Sequence, residues 1–139
     1  MKRFDAYAQP AAKWTRIEML LAAFDGTISR IEKAQRLFDQ NEPVKAQLSL
    51  LTAQQLVLAL YEGIDIRYGE IPANMQKLYL FVLSCIGVGK QLDLSAAIKI
   101  LKIIQKGLLE IKETANEMER KGKIAPTPES SQIMRNIVA

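Results

Sequence analysis

The segment from Leu48 to Tyr61, LSLLTAQQLVLALY, constrains the fold most, because its apolar side chains surround a helix instead of lining one stripe. At about 100° per residue, Leu48, Leu51 and Leu58 point to one side of such a helix. The other side carries a second apolar set: Leu50, Val57, Leu60, Tyr61 and Ile64. A helix that is apolar all round has to be covered on every side. One bundle core covers only part of that circumference, so a neighbouring segment, a second copy of the chain or a partner must cover the rest.

Four segments have the period of α-helices and are separated by short breaks. They are predicted to run over residues 13–39, 43–67, 72–92 and, after a cap at Asp93 or Ser95, to about residue 120. Pro43 and Pro72 suit the first turn of a helix, and Gly69 suits the position after a helix end. Four helices of this length with short connections predict an all-α fold, an antiparallel four-helix bundle.

The first helix is predicted to be amphipathic in the ordinary way. Its apolar face contains Ile17, Phe24 and Ile31, whereas its opposite face is expected to be in solvent and carries four charged residues: Glu18, Asp25, Glu32 and Arg36. The fourth helix differs, because its apolar arc is wider than a bundle core has to cover. The additional flank of that helix contains Ile100, Ile103, Gly107 and Ile111.

The bundle is predicted to occupy residues 13–120 as one domain. Residues 1–12 are interpreted as an extended arm with two aromatic side chains, Phe4 and Tyr7. Residues 121–139 contain two prolines and several serines without a long period, so we expect a flexible, disordered tail. A long two-helix hairpin that dimerises is the competing architecture.

Composition excludes several classes of function. The chain has no histidine, which removes the commonest metal ligand and general base, so we expect no metal and no cofactor. Its net charge is +4, but the lysines and arginines are interleaved with acids, which argues against nucleic acid as a partner. Asp25, Glu62, Asp65 and Glu70 have no spacing that pairs carboxylates in a pocket, so we expect no enzyme. The protein is predicted to be cytoplasmic, because the sequence has a single cysteine, Cys85, no apolar run that could span a membrane and no secretory leader.

Several short motifs occur in a recognisable order. Residues 24–34 read FDGTISRIEKA, residues 69–75 read GEIPANM, Leu78-Tyr79 and Phe81 follow, and Ala6-Tyr7 stands near the N-terminus. In order and spacing they resemble the flagellar export chaperone family FliS, with its patterns YDGAIxxLxxA, G-E-[IL]-x-x-N-L and L-Y-x-[YF] and its Ala-Tyr pair. The T-A-S-P helix start of that family is replaced here by Lys13-Trp14-Thr15-Arg16.

The resemblance implies a chaperone whose partner is the disordered C-terminal segment of flagellin, with other flagellar export components as further candidates. In the family that segment wraps the bundle as short helices in hydrophobic grooves, and the N-terminal arm can lie over part of the groove. The additional apolar flanks of the second and fourth helices suit such a helix-in-groove site. We therefore predict a client groove and assign Tyr7 as the latch of the arm. The predicted groove residues are Leu50, Val57, Leu60, Tyr61, Ile64, Ile100, Ile103, Gly107 and Ile111.

Two alternatives stay open at this point. The predicted groove residues could be ordinary core residues, because periodicity does not tell which arc faces inward. The same surface could also serve self-association, in which case the chain is a homodimeric helical bundle with a structural or regulatory function.

Overall fold

The computed structural model describes residues 14–64, 70–88 and 92–122, and every regular element in these residues is helical. The elements are α1 (Arg16–Asp39), α2 (Pro43–Glu62), α3 (Glu70–Leu83), a π-helical turn (Ser84–Val88), α4 (Leu94–Glu110) and α5 (Lys112–Arg120). The predicted arm with Tyr7 and most of the predicted tail lie outside the described residues.

Helix α1 begins with a capping box formed by Thr15 and Glu18. In this motif the side chain of each residue accepts a hydrogen bond from the backbone N–H of the other. The backbone N–H of Thr15 donates to Oε1 of Glu18 at 2.9 Å. Asn116 of α5 contacts the Thr15 hydroxyl, and the backbone N–H of Arg16 donates to Oε1 of Glu119 at 3.1 Å. Glu18 is therefore buried, which corrects its prediction as a solvated residue. The Glu18 carboxylate accepts hydrogen bonds at the start of α1, and α5 covers it there.

The turn between α1 and α2 is determined by local hydrogen bonds. Asn41 has a positive φ of 58°, a conformation that asparagine tolerates better than most residues. Around it the N–H of Glu42 donates to the Leu37 carbonyl at 2.8 Å and the N–H of Asn41 to the Phe38 carbonyl at 3.1 Å. These bonds form a Schellman helix end. Pro43 then begins α2, so the predicted break between the first two helices is confirmed.

Two predicted helix ends are wrong. Helix α2 ends at Glu62 with Gly63 as its C-cap, before the predicted end at residue 67. The third helix does not continue to residue 92, because Gly87 has a φ of 131° and leaves the helical conformation. After these residues the N–H of Asp93 donates to the carbonyl of Cys85 at 2.8 Å.

The fourth predicted helix is divided into two. Asp93 caps α4, since its Oδ1 accepts from the N–H of Ala96 at 3.1 Å; of the two candidate caps, Asp93 takes this role. Ile111 has φ −104° and ψ 4°, which interrupts the helix before α5. The prediction of one helix to residue 120 was therefore wrong at this residue.

The helices surround one core. Both α1 and α3 pack against α2 and against α4, so α2 and α4 occupy opposite corners of the assembly. Four of the five α-helices contribute buried apolar side chains to the core: Phe24 and Ile31 of α1, Leu50 and Val57 of α2, Tyr79 and Val82 of α3, and Ala97 and Leu101 of α4. The rings of Phe24 and Tyr79 lie 6.1 Å apart between their centroids. Other apolar side chains of the same helices lie outside this core and are exposed.

α1 contacts α4 and α5 in the reverse order of the sequence. Gln35 donates to Ser95 at 3.2 Å, Glu32 lies 3.6 Å from the ammonium group of Lys102, and Thr15 contacts Asn116. Residues late in α1 thus contact the start of α4, and the residue before α1 contacts α5.

Candidate functional site: two exposed apolar faces

The outer side of α2 is apolar and open to solvent. Four aliphatic side chains form it, and we call them the α2 face: Val44, Leu48, Leu51 and Leu58, which are 74%, 60%, 50% and 46% exposed. Within helical geometry they lie on one side of the helix, because successive members are three, four or seven residues apart. An apolar surface of this kind on a folded protein usually marks an interaction site.

The structure places the opposite side of α2 in the core. Leu50, Val57 and Leu60 are buried there, and Tyr61 and Ile64 are partly buried against the same core. This corrects the assignment of Leu50, Val57 and Leu60 to a surface groove. The physical reason is that α1 and α3 both pack against this side of α2. The division of the helix into two apolar sides agrees with the structure, but the outer side is the one that carries Leu48.

The second exposed face lies on α4. We call Ile103, Gly107 and Ile111 the α4 face; Ile103 and Ile111 are 59% and 53% exposed. A Cβ atom built on Gly107 would meet no other atom within 4 Å, so the backbone is open to solvent there. Ile100 is only partly exposed and packs against the core. The structure thus brings three of the predicted residues together on the surface, with Ile100 at their inner edge.

A groove of about 570 Å³ runs beside the α4 face. Ile98 and Ile103 give it an apolar lining, and Glu32 and Gln35 of α1 form its far wall. Lys99, Lys102 and Lys106 also line it. The ammonium group of Lys102 lies 3.6 Å from a carboxylate oxygen of Glu32. That ion pair is solvent-exposed and contributes little to stability. An apolar helix with acidic flanking residues would match such a groove.

Sequence reasoning missed two exposed side chains of α3 and the α2 face itself. Leu80 and Phe81 are both large, apolar and exposed. Leu80 projects away from the side of the helix that carries Met75, Tyr79 and Val82, so the sequence does contain a signal for its exposure. The sequence also contained a signal for the α2 face, since Leu48, Leu51 and Leu58 project onto the same side of the helix.

The titratable groups with shifted pKa values belong to the core. Burial raises the pKa of the Tyr79 phenol well above its ordinary value of 10.0, and burial also raises the pKa of the Cys85 thiol. A buried thiol with a raised pKa is a poor nucleophile. Residues 14–64, 70–88 and 92–122 contain no group of three or more His, Cys, Asp and Glu side chains placed to hold a metal ion. None of the helices in these ranges has both the length and the apolar character that a membrane span requires.

Apolar residues exposed on opposite helices of a helical fold are typical of proteins that bind other polypeptides through their surfaces. A model of the family described as flagellar protein FliS matches residues 5–122. The chain belongs to the FliS family, which is a family of flagellar export chaperones and not of enzymes. No curated protein and no solved structure matches the chain.

Proposed function

We propose that this chain is a cytoplasmic export chaperone that binds the disordered C-terminal segment of flagellin and prevents its polymerisation before secretion. Membership of the FliS family supports this proposal. The observation that carries it is the α4 face, where Ile103 and Ile111 are exposed on either side of the open Gly107. In this proposal the helices form an antiparallel four-helix bundle, and the client lies on its outside as short amphipathic helices.

The α4 face has the features that a helical client needs. Ile103 and Ile111 would be covered by apolar client residues, and full burial of an aliphatic side chain contributes about 1.5–3 kcal/mol. Gly107 has no side chain, so a client backbone could approach α4 closely between these two isoleucines. Ile100 is partly buried and serves at most as the inner margin of the site, whereas Tyr61 and Ile64 pack against the core on the side of α2 and are not part of it.

The lysines of the adjacent groove would orient the client. Lys99, Lys102 and Lys106 lie on the side of α4 that faces α1. Acidic residues on one side of a client helix would pair with them, whereas the apolar side of that helix would cover Ile103. The assignment of Tyr7 as a latch that lies over the groove in the free protein is part of the same proposal.

Affinity will be lower than the buried area suggests. A disordered client has to become ordered on binding, which costs about 2–5 kcal/mol of the gross interaction energy. We therefore expect a clear negative heat-capacity change, because apolar surface is buried, together with a moderate binding constant.

Titration calorimetry with a peptide that covers the C-terminal segment of flagellin from the same organism tests the proposal. The wild type should bind one peptide per chain, and Ile103→Glu should abolish binding, because it places a carboxylate where an apolar contact is expected. Thr114→Glu is the matched control, since Thr114 is an exposed residue of α5 and the substitution adds the same charge. Absence of binding by the wild type, or equal binding by the two variants, would contradict the proposal.

A further inference from the structure

A second groove lies between α1 and α2, on the side of α2 that borders the α2 face. Its volume is about 360 Å³, and we call it the α1–α2 groove. Both helices contribute to its walls: Arg30, Lys33 and Leu37 of α1, and Lys45, Leu48 and Ser49 of α2. Leu48 is also a member of the α2 face, so the groove and that apolar face form one continuous surface.

The α1–α2 groove is basic. Among the described residues that line it, Arg30, Lys33 and Lys45 are cations and the others are uncharged. The ammonium group of Lys45 lies 3.7 Å from a carboxylate oxygen of Glu42, but the two side chains are 67% and 45% exposed. Such a surface pair contributes little to stability, so a carboxylate of a partner can replace Glu42 at small cost. The groove therefore favours a negatively charged occupant.

Hydrogen bonds hold both walls of the groove in place. The hydroxyl of Ser49 donates to the Arg30 carbonyl at 2.7 Å, which links α2 to α1 at the groove. The Arg30 guanidinium donates to the Gly26 carbonyl at 3.1 Å, one turn earlier in α1. A Cβ atom at position 26 would lie 3.0 Å from Nη1 of Arg30, so glycine leaves room for this side chain. A preformed groove loses less conformational entropy on binding than a mobile one.

The charges lie on one side of the α2 face only. Val44, Leu48 and Leu51 are spaced by four and three residues, so they form an apolar strip along α2. The cations border this strip on the side of α1. On its other side the strip borders a groove whose described lining is uncharged and includes Gln47 and Gln54. An amphipathic helix matches this arrangement if its apolar side covers the strip and its acidic residues lie along one edge.

We propose that the α1–α2 groove and the adjoining α2 face form a docking surface for an acidic amphipathic helix of a protein other than the client. Leu48 lies at the centre of this contact, with Lys33 and Lys45 opposite the carboxylates of the partner. Because α2 and α4 occupy opposite corners, this surface lies away from the α4 face. The partner can therefore bind while a client occupies the α4 face, and the docking surface does not depend on the client proposal.

A nuclear magnetic resonance titration of the isotope-labelled full chain maps the surface. The probe is a designed peptide of about three heptads with leucine at a and d and glutamate at e and g, so that either edge can face the cations. In the control peptide, lysine replaces every glutamate. The acidic peptide should shift the amide signals of Lys33, Lys45 and Leu48, and the lysine peptide should not. Raising the NaCl concentration should weaken binding, because exposed charges are screened.

Two charge reversals separate the two basic grooves. Lys33→Glu should weaken binding of the acidic peptide at the α1–α2 groove roughly tenfold, since it removes one ion pair and adds a repulsion. Lys99→Glu is the matched control, because Lys99 is an exposed lysine in the groove beside α4, and it should leave that binding unchanged. Leu48→Glu should abolish binding. Lys33 and Leu48 are exposed, so both variants should fold, which circular dichroism verifies.

Several results would overturn the proposal. It fails if the acidic peptide shifts only signals around Lys99, if both peptides bind the α1–α2 groove equally, or if Lys33→Glu binds like Lys99→Glu. It also fails if the chain cosediments with phosphatidylglycerol vesicles through Leu48 while the acidic peptide does not bind, since a lipid surface would then be the occupant. Signals of Leu48 that change with protein concentration but not with the peptide would assign the surface to a second copy instead.

The flagellin peptide distinguishes this proposal from the client proposal. Lys33→Glu should bind the flagellin peptide like the wild type, whereas Ile103→Glu should lose that peptide and keep the acidic probe. If the flagellin peptide itself shifts the signals of Lys33 and Leu48, the surface belongs to the client and the proposal of a separate partner fails.

Discussion

Replacement of Gly87 by alanine should destabilise the fold by about 1.5–4.5 kcal/mol, a large effect for the addition of one methyl group. Gly87 has φ 131° and ψ −3°, a conformation that residues with a Cβ atom rarely adopt. Such backbone strain costs about 1–3 kcal/mol. The glycine lies in the π-helical turn after α3, where the carbonyl of Cys85 accepts from the N–H of Asp93, so relief of the strain would disturb this bond.

The second contribution comes from a neighbouring side chain. A Cβ atom on Gly87 would lie 2.7 Å from Nε2 of Gln54, so Gln54 would have to move. Nε2 of Gln54 donates to the carbonyl of Ile86 at 2.9 Å, a bond that links α2 to the π-helical turn. Loss of this hydrogen bond would cost about 0.5–1.5 kcal/mol. Together with the backbone strain, it accounts for the expected total.

Urea unfolding followed by circular dichroism measures the free energy of unfolding. Gly107→Ala is the matched control, because Gly107 lies within α4 and its substitution meets no neighbouring atom. It should stabilise the fold by up to about 1 kcal/mol, the difference in helix propensity between glycine and alanine. In a Gln54→Ala background, Gly87→Ala should cost less than in the wild type, by the share that the hydrogen bond contributes.

A Gly87→Ala variant whose free energy of unfolding lies within about 0.5 kcal/mol of the wild type would refute this reasoning, since surface substitutions without strain fall in that range. An equal cost in both backgrounds would leave the backbone strain but refute the contribution of Gln54.

Two further predictions concern the core. Leu50→Ala should lower the free energy of unfolding by about 2–5 kcal/mol, because Leu50 is buried, whereas Leu51→Ala should change it by about 0.5 kcal/mol or less; equal effects in urea unfolding would contradict the orientation of α2. Because the pKa of Tyr79 is raised by burial, its phenol should ionise first in the unfolded chain as the pH rises above 10.0. Stability should therefore fall with rising pH in that range, and Tyr79→Phe should lose less stability there than the wild type.

The elements whose signals are local could be predicted from the sequence. Pro43 begins α2 and Asp93 caps α4, and both act within one helical turn. The burial of Glu18 also had a local signal, because Thr15 and Glu18 have the spacing of a capping box. Its projection onto the polar side of the helix suggested solvent instead. The structure resolves the conflict, since α5 covers the start of α1 and the carboxylate is used by the cap.

The ends of the third and fourth helices were not predictable in this way. Glycine is compatible with a helix end, but the positive φ of Gly87 goes with a tertiary contact, the hydrogen bond between Asp93 and Cys85. The interruption at Ile111 lies in a segment with good helix formers on both sides. No local feature marks it, and it coincides with the point from which α5 turns to contact the start of α1.

The all-helical fold, the family and the presence of two apolar sides on α2 follow from the order of the residues alone. Periodicity determines the angle between Leu50 and Leu51 around a helix, but not the rotation of that helix about its own axis. Both sides of α2 are apolar, so hydrophobicity alone does not select the inner one. The packing of α1 and α3 makes that choice: it buries Leu50 and leaves Leu51 on the surface, available to a partner.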